Sequence, residues 1–204
     1  MASKHVDAGL LILALVLASC TQPPAAEKDV VTEVRTPTGE DRAAGPRAAT
    51  ARPVTSGDLA AAVPVPFGSS AIELRRVWKG DFMAVAEPES EEACYYLLAQ
   101  PSPQQGYGRA FMFEGARLVR MDVDDPASQA PGGARVGMEL AQLQRLYAGR
   151  MEVRPHKYVE AGHYLRVRPA ASGPVLVMET DARGKLHEWR VGIPPQVDYV
   201  EGCS

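Results

Sequence analysis

The chain has 204 residues, with 22 Lys and Arg against 25 Asp and Glu and a net charge of −3. The two signs are interspersed, which excludes the clustered basic footprint that nucleic acid binding requires. The length fits one domain plus a tail.

The chain opens Met1-Ala2-Ser3-Lys4-His5, where Lys4 is the only fixed positive charge before an apolar stretch and Asp7 partly offsets it. The stretch from Leu10 to Ala18 is shorter than the roughly 20 apolar residues of a membrane span and fits a signal-peptide core. Polar sequence, Thr21-Gln22-Pro23-Pro24, follows at once. Between them, Leu17-Ala18-Ser19-Cys20 resembles the lipobox of bacterial lipoproteins: an aliphatic residue, two small ones and the cysteine that is modified. The resemblance implies a signal peptide over 1–19, cleavage before Cys20, and acyl chains such as palmitate on that cysteine. Two or more chains give stable anchoring where one is marginal. By resemblance to enterobacterial sorting, in which an Asp after the cysteine retains a lipoprotein at the inner membrane, Thr21 implies the outer membrane, on its periplasmic face. With Cys20 lipidated, Cys94 and Cys203 remain, and in an oxidising periplasm they most simply form a disulfide.

Residues 20–66 are rich in Ala, Pro and Thr with few aromatics. Such sequence buries too little apolar surface to offset its ordering entropy, so it is expected to be a disordered tether. Its last part, Gly57 to Phe67, is a candidate for packing on the domain that occupies 67–204. Ile72-Glu73-Leu74 and Val77-Trp78 fit a short strand or a helix, and periodicity does not decide. Phe82 to Val85 and Tyr95 to Leu98 are predicted strands, separated by an acidic loop containing Glu87, Glu89, Glu91 and Glu92 that reads as a solvated face. Arg109 to Glu114, a turn at Gly115 and Leu118 to Val123 predict a hairpin with one buried face, Val119, Met121 and Val123 alternating with Arg120 and Asp122. Pro126 to Gly133 is a loop. Between Gly137 and Gly149, Leu140, Leu143, Leu146 and Tyr147 form one helical stripe with a glycine C-cap. Strands follow at Met151 to Arg154, Leu165 to Arg168, Val175 to Thr180 and Lys185 to Val191, the last two joined by the turn Asp181-Ala182-Arg183-Gly184. The expected fold class is α+β: a mainly antiparallel sheet with one short packed helix.

Arg135-Val136-Gly137-Met138, Pro155-His156-Lys157-Tyr158, Gly162-His163-Tyr164 and Tyr199-Val200-Glu201-Gly202-Cys203, with Cys94-Tyr95-Tyr96, resemble a pattern found in uncharacterised proteobacterial envelope lipoproteins. The resemblance covers about half the chain and implies no particular activity.

His156, Tyr158, His163 and Tyr164 are the candidate ligand contacts. Two histidines with a carboxylate such as Glu160 are metal-ligand types, but His-x₆-His matches no tight ligand pair. Histidines and phenols also suit contact with a sugar or a partner protein, and plain structural use is the simplest reading. Asp122-Val123-Asp124-Asp125 lacks the glycine and glutamate positions of a calcium loop and reads as a solvated strand end. There is no Gly-x-Ser-x-Gly elbow, Walker A or dinucleotide glycine pattern, and His187 sits beside Trp189 on a strand. The expectation is a non-enzymatic outer-membrane lipoprotein, without cofactor or metal, whose periplasmic domain binds an envelope protein. The alternative is a carbohydrate-binding module for peptidoglycan or surface glycan, using the His156–Tyr164 loop with Trp78 or Trp189. A metal-dependent hydrolase would require the histidines to converge with carboxylates.

Overall fold

Period-2 alternation dominates this chain, and one continuous sheet is what it builds. The computed structural model describes residues 52–85, 93–103, 105–169 and 171–203. The expected signal peptide, Cys20, most of the expected tether and the acidic loop at 87–92 lie outside the described residues.

The elements in chain order are α1 (Ser56–Ala61), α2 (Ala71–Val77), β1 (Phe82–Val85), β2 (Cys94–Ala99), β3 (Arg109–Glu114), β4 (Arg117–Val123), α3 (Leu140–Leu146), β5 (Met151–Pro155), β6 (His163–Val167), β7 (Val175–Thr180) and β8 (Leu186–Gly192). A 3₁₀ turn follows at Gln196–Asp198. The strands form one eight-stranded sheet in the order β1-β2-β3-β4-β8-β7-β6-β5, every pairing antiparallel. Two four-stranded meanders, each preceded by a seven-residue helix, are thus joined through β4 and β8. This duplication of plan leaves no repeat in the sequence.

The sheet overturns the α+β expectation. The described helices have six or seven residues each and serve to cover one face. The helical stripe between Gly137 and Gly149 contracts to α3 because its first residues are claimed by the sheet. Gly137 N donates to Leu186 O (2.8 Å), Leu186 N to Met138 O (2.7 Å) and Leu140 N to Gly184 O (2.8 Å). A backbone held in that ladder cannot supply a first helical turn.

The two earlier helices are set by their caps. At α2, the Ser70 N–H and hydroxyl reach Glu73 at 2.7 and 2.9 Å, and Glu73 N donates back to Ser70 Oγ at 3.3 Å. Thr55 and Asp58 do the same for α1. Such reciprocal boxes satisfy helix N–H groups that have no intrahelical partner. They settle the choice left open at Ile72–Trp78 in favour of helix.

One face of the sheet meets these helices in a single core: Phe111, Phe113, Met121, Trp189, Val191, Leu176, Met178 and Leu165 from the strands, with Leu59, Leu74, Leu143 and Tyr147 from the helices. Leu118 joins Met121 on that face because a bulge between Met112 and Phe113 shifts the register by one residue, leaving Val119 as the extra residue. Val54, Leu59, Val63 and Val65 are all buried in the core, so the folded body starts before residue 67 and includes the end of the expected tether.

That assignment has a direct test. Leu59 is completely buried, so Leu59→Ala should cost about 2–5 kcal/mol in chemical denaturation. A substitution within a tether would leave the transition unmoved.

Candidate functional site

Strand alternation sends Ala110, Met112, Arg120, Asp122, Glu188, Arg190, Val175, Val177, Glu179, Tyr164 and Arg166 to the face opposite the helices. On an open antiparallel sheet this face would be solvated, as the sequence reading of the β3–β4 hairpin assumes. Instead Arg120, Asp122 and Arg190 are at most 5% exposed. The expectation of one buried face, and of a solvated strand end at Asp122, is corrected by what covers them: residues 193–203, which fold back across the sheet as a strap.

The strap is anchored along its length. Ile193 N donates to Val119 O at 3.0 Å. Val197 is fully buried against Val175 and Val177. Gln196 donates to Glu114, and Arg166 binds Asp198 at 2.8 Å. Lys157 Nζ lies 2.8 Å from Glu201, which also accepts from the Tyr158 hydroxyl. Cys203 is disulfide-bonded to Cys94 with their Cα atoms 5.3 Å apart, as the cysteine count predicts. At Gly202 (φ +63°) a Cβ would stand 2.8 Å from Tyr96 Oη, so glycine is what lets the strap close over that ring.

The Ile193, Pro195 and Gln196 carbonyls accept from backbone N–H groups within the strap, and two buried guanidiniums supply donors to those of Val197 and Tyr199. Arg120 Nη1 donates to Tyr199 O (2.6 Å) and Arg190 Nε to Val197 O (2.8 Å). Each guanidinium is neutralised in place. Arg120 Nε reaches both Asp122 oxygens at 2.8 and 2.9 Å, with Nη2 at 2.6 Å. Arg190 Nη1 binds Glu179. Burial works against the Arg120 charge, but Asp122 outweighs it and holds its pKa above the ordinary value.

Glu188 has the loosest pairing in this layer. It accepts from Tyr107 Oη at 3.1 Å and lies 3.4 Å from Arg190 Nη1. Burial first, then the negative Glu179 and Asp122, raise its pKa above the ordinary value. The Tyr96 and Tyr107 phenols are likewise pushed up, by burial before all else. Beside them is a cavity of about 320 Å³ lined by Val85, Tyr96, Leu98, Tyr107, Ala110, Arg120, Asp122, Glu188 and strap residues Val200 to Gly202.

The histidine–tyrosine loop is partly brought together. His156 and Tyr164 stack with centroids 4.3 Å apart. His156 Nε2 is 3.0 Å from Glu179, while Nδ1 accepts from the backbone N–H groups of Tyr158 and Val159 at 3.0 and 3.1 Å. Both ring nitrogens are therefore engaged. His163 precedes Tyr164 on β6 and so faces the other side of the sheet, with Nδ1 buried and without a partner. Tyr158 is 58% exposed, but Lys157 lies 4.8 Å over its ring and its hydroxyl is on Glu201. Trp78 packs edge-on to Phe111 in the core, Trp189 is buried there too, and His187 is exposed. Neither tryptophan extends the loop into a sugar-stacking platform.

No group of three or more His, Cys, Asp or Glu among the described residues is placed to hold a metal ion. The Asp122–Asp125 run is spent internally. Asp124 accepts from Tyr107 N and Gly108 N at 3.0 and 2.7 Å, and Asp125 from Ala127 N and the Ser128 hydroxyl. Sequence reasoning missed Arg120, Glu188, Arg190 and Tyr107. The available signal was two oppositely charged i, i+2 pairs, Arg120-x-Asp122 and Glu188-x-Arg190, on strands that end up adjacent.

No family model matches the sequence. No curated protein matches it either. Among solved structures the chain is similar to an extracellular protein containing an SCP domain from Bacillus anthracis str. Ames, with a TM-score of 0.42 and 10% identity over 80% of this chain and 50% of that one. The chain thus spans about half the length of that structure. Among the described residues no helix is long and apolar enough to cross a membrane.

Two stability outcomes follow from this geometry. Asp122→Asn leaves a buried guanidinium uncompensated and should cost about 3–5 kcal/mol, whereas Arg120→Met with Asp122→Leu together should cost much less; urea titration of the three proteins compares them. Replacing Cys94 and Cys203 together by serine opens a link spanning 109 residues of sequence. In the chain-entropy account the loss is about 4–5 kcal/mol, read as a lower denaturation midpoint matched by wild type in reductant.

Proposed function

We propose that this protein is a lipoprotein held through acylated Cys20 at the periplasmic face of the outer membrane, and that its folded domain docks an envelope protein and performs no catalysis. The lipobox resemblance at Leu17–Cys20 supports the anchor, and the Cys94–Cys203 bond is consistent with an oxidising compartment.

The docking reading rests on the unequal edges of the sheet. The β5 edge carries Glu152 and Arg154 paired at 2.5 Å, Arg168 on the same Glu152 at 2.6 Å, and Pro155 at its end. Charge and proline are the usual protection of an edge against strand addition. Among the described residues β1 itself carries no such guard. Phe82–Val85 contains no charged residue, and Met83 and Val85 are 50% and 44% exposed on the strap side, next to exposed Val200. An extended partner segment would add main-chain hydrogen bonds along β1 and bury this apolar strip.

The full chain, expressed with its own leader, tests both halves. Intact mass should give a chain that begins at acylated Cys20, and Cys20→Ser should leave the outer-membrane fraction. A photo-crosslinking residue at Val85 should capture one envelope protein, with capture reduced at least several-fold by Met83→Glu, while the same probe at Glu152 captures none. An unacylated chain removes the anchor. Equal capture from the two edges removes the docking reading.

A further inference from the structure

The cavity beside the strap is a mixed one. Val85, Leu98, Ala110 and Val200 make its apolar wall, and Tyr96, Tyr107, Asp122, Arg120 and Glu188 its polar floor. Its volume is at the lower end of small-ligand sites, which run from roughly 300 to 1,000 Å³. Three lining carboxylates, Asp122, Glu188 and Glu201, face one lining guanidinium, Arg120.

The pairing of those charges identifies the unfilled position. Arg120 is committed to Asp122 through Nε and Nη2 and to the strap carbonyls of Gln196 and Tyr199 through Nη1. Glu201 is engaged by Lys157 and Tyr158. Arg190 directs its close contact to Glu179, so Glu188 receives only the 3.4 Å contact and one phenol. A carboxylate has about four lone-pair positions. The Tyr107 hydroxyl spends its proton on Glu188, which leaves its oxygen, like that of Tyr96, able to accept.

We propose that this cavity binds an alkylammonium group, its –NH₃⁺ on Glu188 with the Tyr96 and Tyr107 oxygens as further acceptors and its alkyl chain along Val85, Leu98, Ala110 and Val200. A primary ammonium supplies three donors and no acceptor, which is the complement of this floor. A carboxylate ligand would meet Glu188 and Asp122 at the wrong sign, and a plain hydrocarbon would strand the floor's polar groups. The raised Glu188 pKa agrees, because an under-compensated buried carboxyl is what an added cation relieves. The ammonium has two natural sources, a free aliphatic amine and a lysine side chain presented by another protein. The inference stands apart from the protein-docking reading, since it is measured with no partner present.

The test is calorimetric titration of the full-length protein in detergent with n-hexylammonium, Nα-acetyl-lysine N-methylamide, hexanol and hexanoate. Saturable binding of at least one amine is expected, with hexanol and hexanoate at least tenfold weaker. Glu188→Gln should weaken the amine at least tenfold, and so should Val85→Trp, a change at an exposed rim position that leaves the core untouched. Tighter binding of hexylammonium would assign the site to a free amine, and tighter binding of the lysine amide to a protein side chain. No saturable amine binding, amine and hexanol binding equally, or amine binding unchanged in Glu188→Gln would each overturn the proposal.

Discussion

Two guanidiniums, Arg120 and Arg190, sit almost wholly inside a molecule of this size, and the rest of the architecture is arranged around that fact. Burying each ion costs several kcal/mol unless every donor finds an acceptor. Asp122 and Glu179 neutralise them, but carboxylates alone do not use all five guanidinium N–H groups. Arg120 Nη1 and Arg190 Nε are satisfied by carbonyls of the strap, at Tyr199 and Val197. The dependence runs both ways. Without the strap the arginines would need water, and without the arginines the Val197 and Tyr199 carbonyls would lose the donors they have. The sheet and the C-terminal segment therefore form one cooperative unit, with the disulfide closing its end.

The same charges define how the two meanders meet. Across the β4–β8 junction Asp122 stands opposite Arg190 and Met121 opposite Val191. A slip of one residue would turn the charged set into the helical core and the aliphatic set toward the strap. Gly192, opposite Arg120, belongs to this junction as well. A Cβ there would lie 2.7 Å from Val119 O and 3.0 Å from Arg120 Cβ, so only glycine allows β8 to approach the bulged part of β4 before the chain turns into the strap.

Much of the sheet was legible in the sequence because period-2 alternation is a local property: β1, β2, β3, β4, β7 and β8 fall where the pattern puts them. The course of the strap was not legible for the same reason, although the expected Cys94–Cys203 bond already docks its end. Arg120 and Asp122 alternate with Val119 and Met121 identically whether water or a chain segment lies over them, and Ile193 to Cys203 carries no periodic mark of its role. Helices α1 and α2 did carry a local mark, Thr55-x-x-Asp58 and Ser70-x-x-Glu73, hidden in a stretch whose alanine and proline content pointed to a tether. In the candidate loop, strand parity alone separates His163 from Tyr164, while the stacking of Tyr164 on His156 required the β5–β6 hairpin to fold back.

Across the strap-facing side, polarity runs as a gradient from β5 to β1. At the β5 end charge is abundant and closely matched, Arg154 and Arg168 on Glu152 and Arg166 on Asp198. In the middle the matched pairs are buried under the strap. Toward β1 the charges stop, and Leu98, Met83 and Val85 take over. The cavity lies where these regimes meet, with Glu188 on β8 and Asp122 on β4 as the carboxylates its lining takes from the strands and Val85 on β1 as an exposed aliphatic at its margin. A purely structural ion layer would place its loosest member where water could complete it. Here the position is bordered by two phenols, which offer hydrogen-bonding oxygens, and by an aliphatic wall, which accommodates a methylene chain. The gradient, more than any single residue, sets this margin of the strap apart from the rest of that face and is what the proposed binding there draws on.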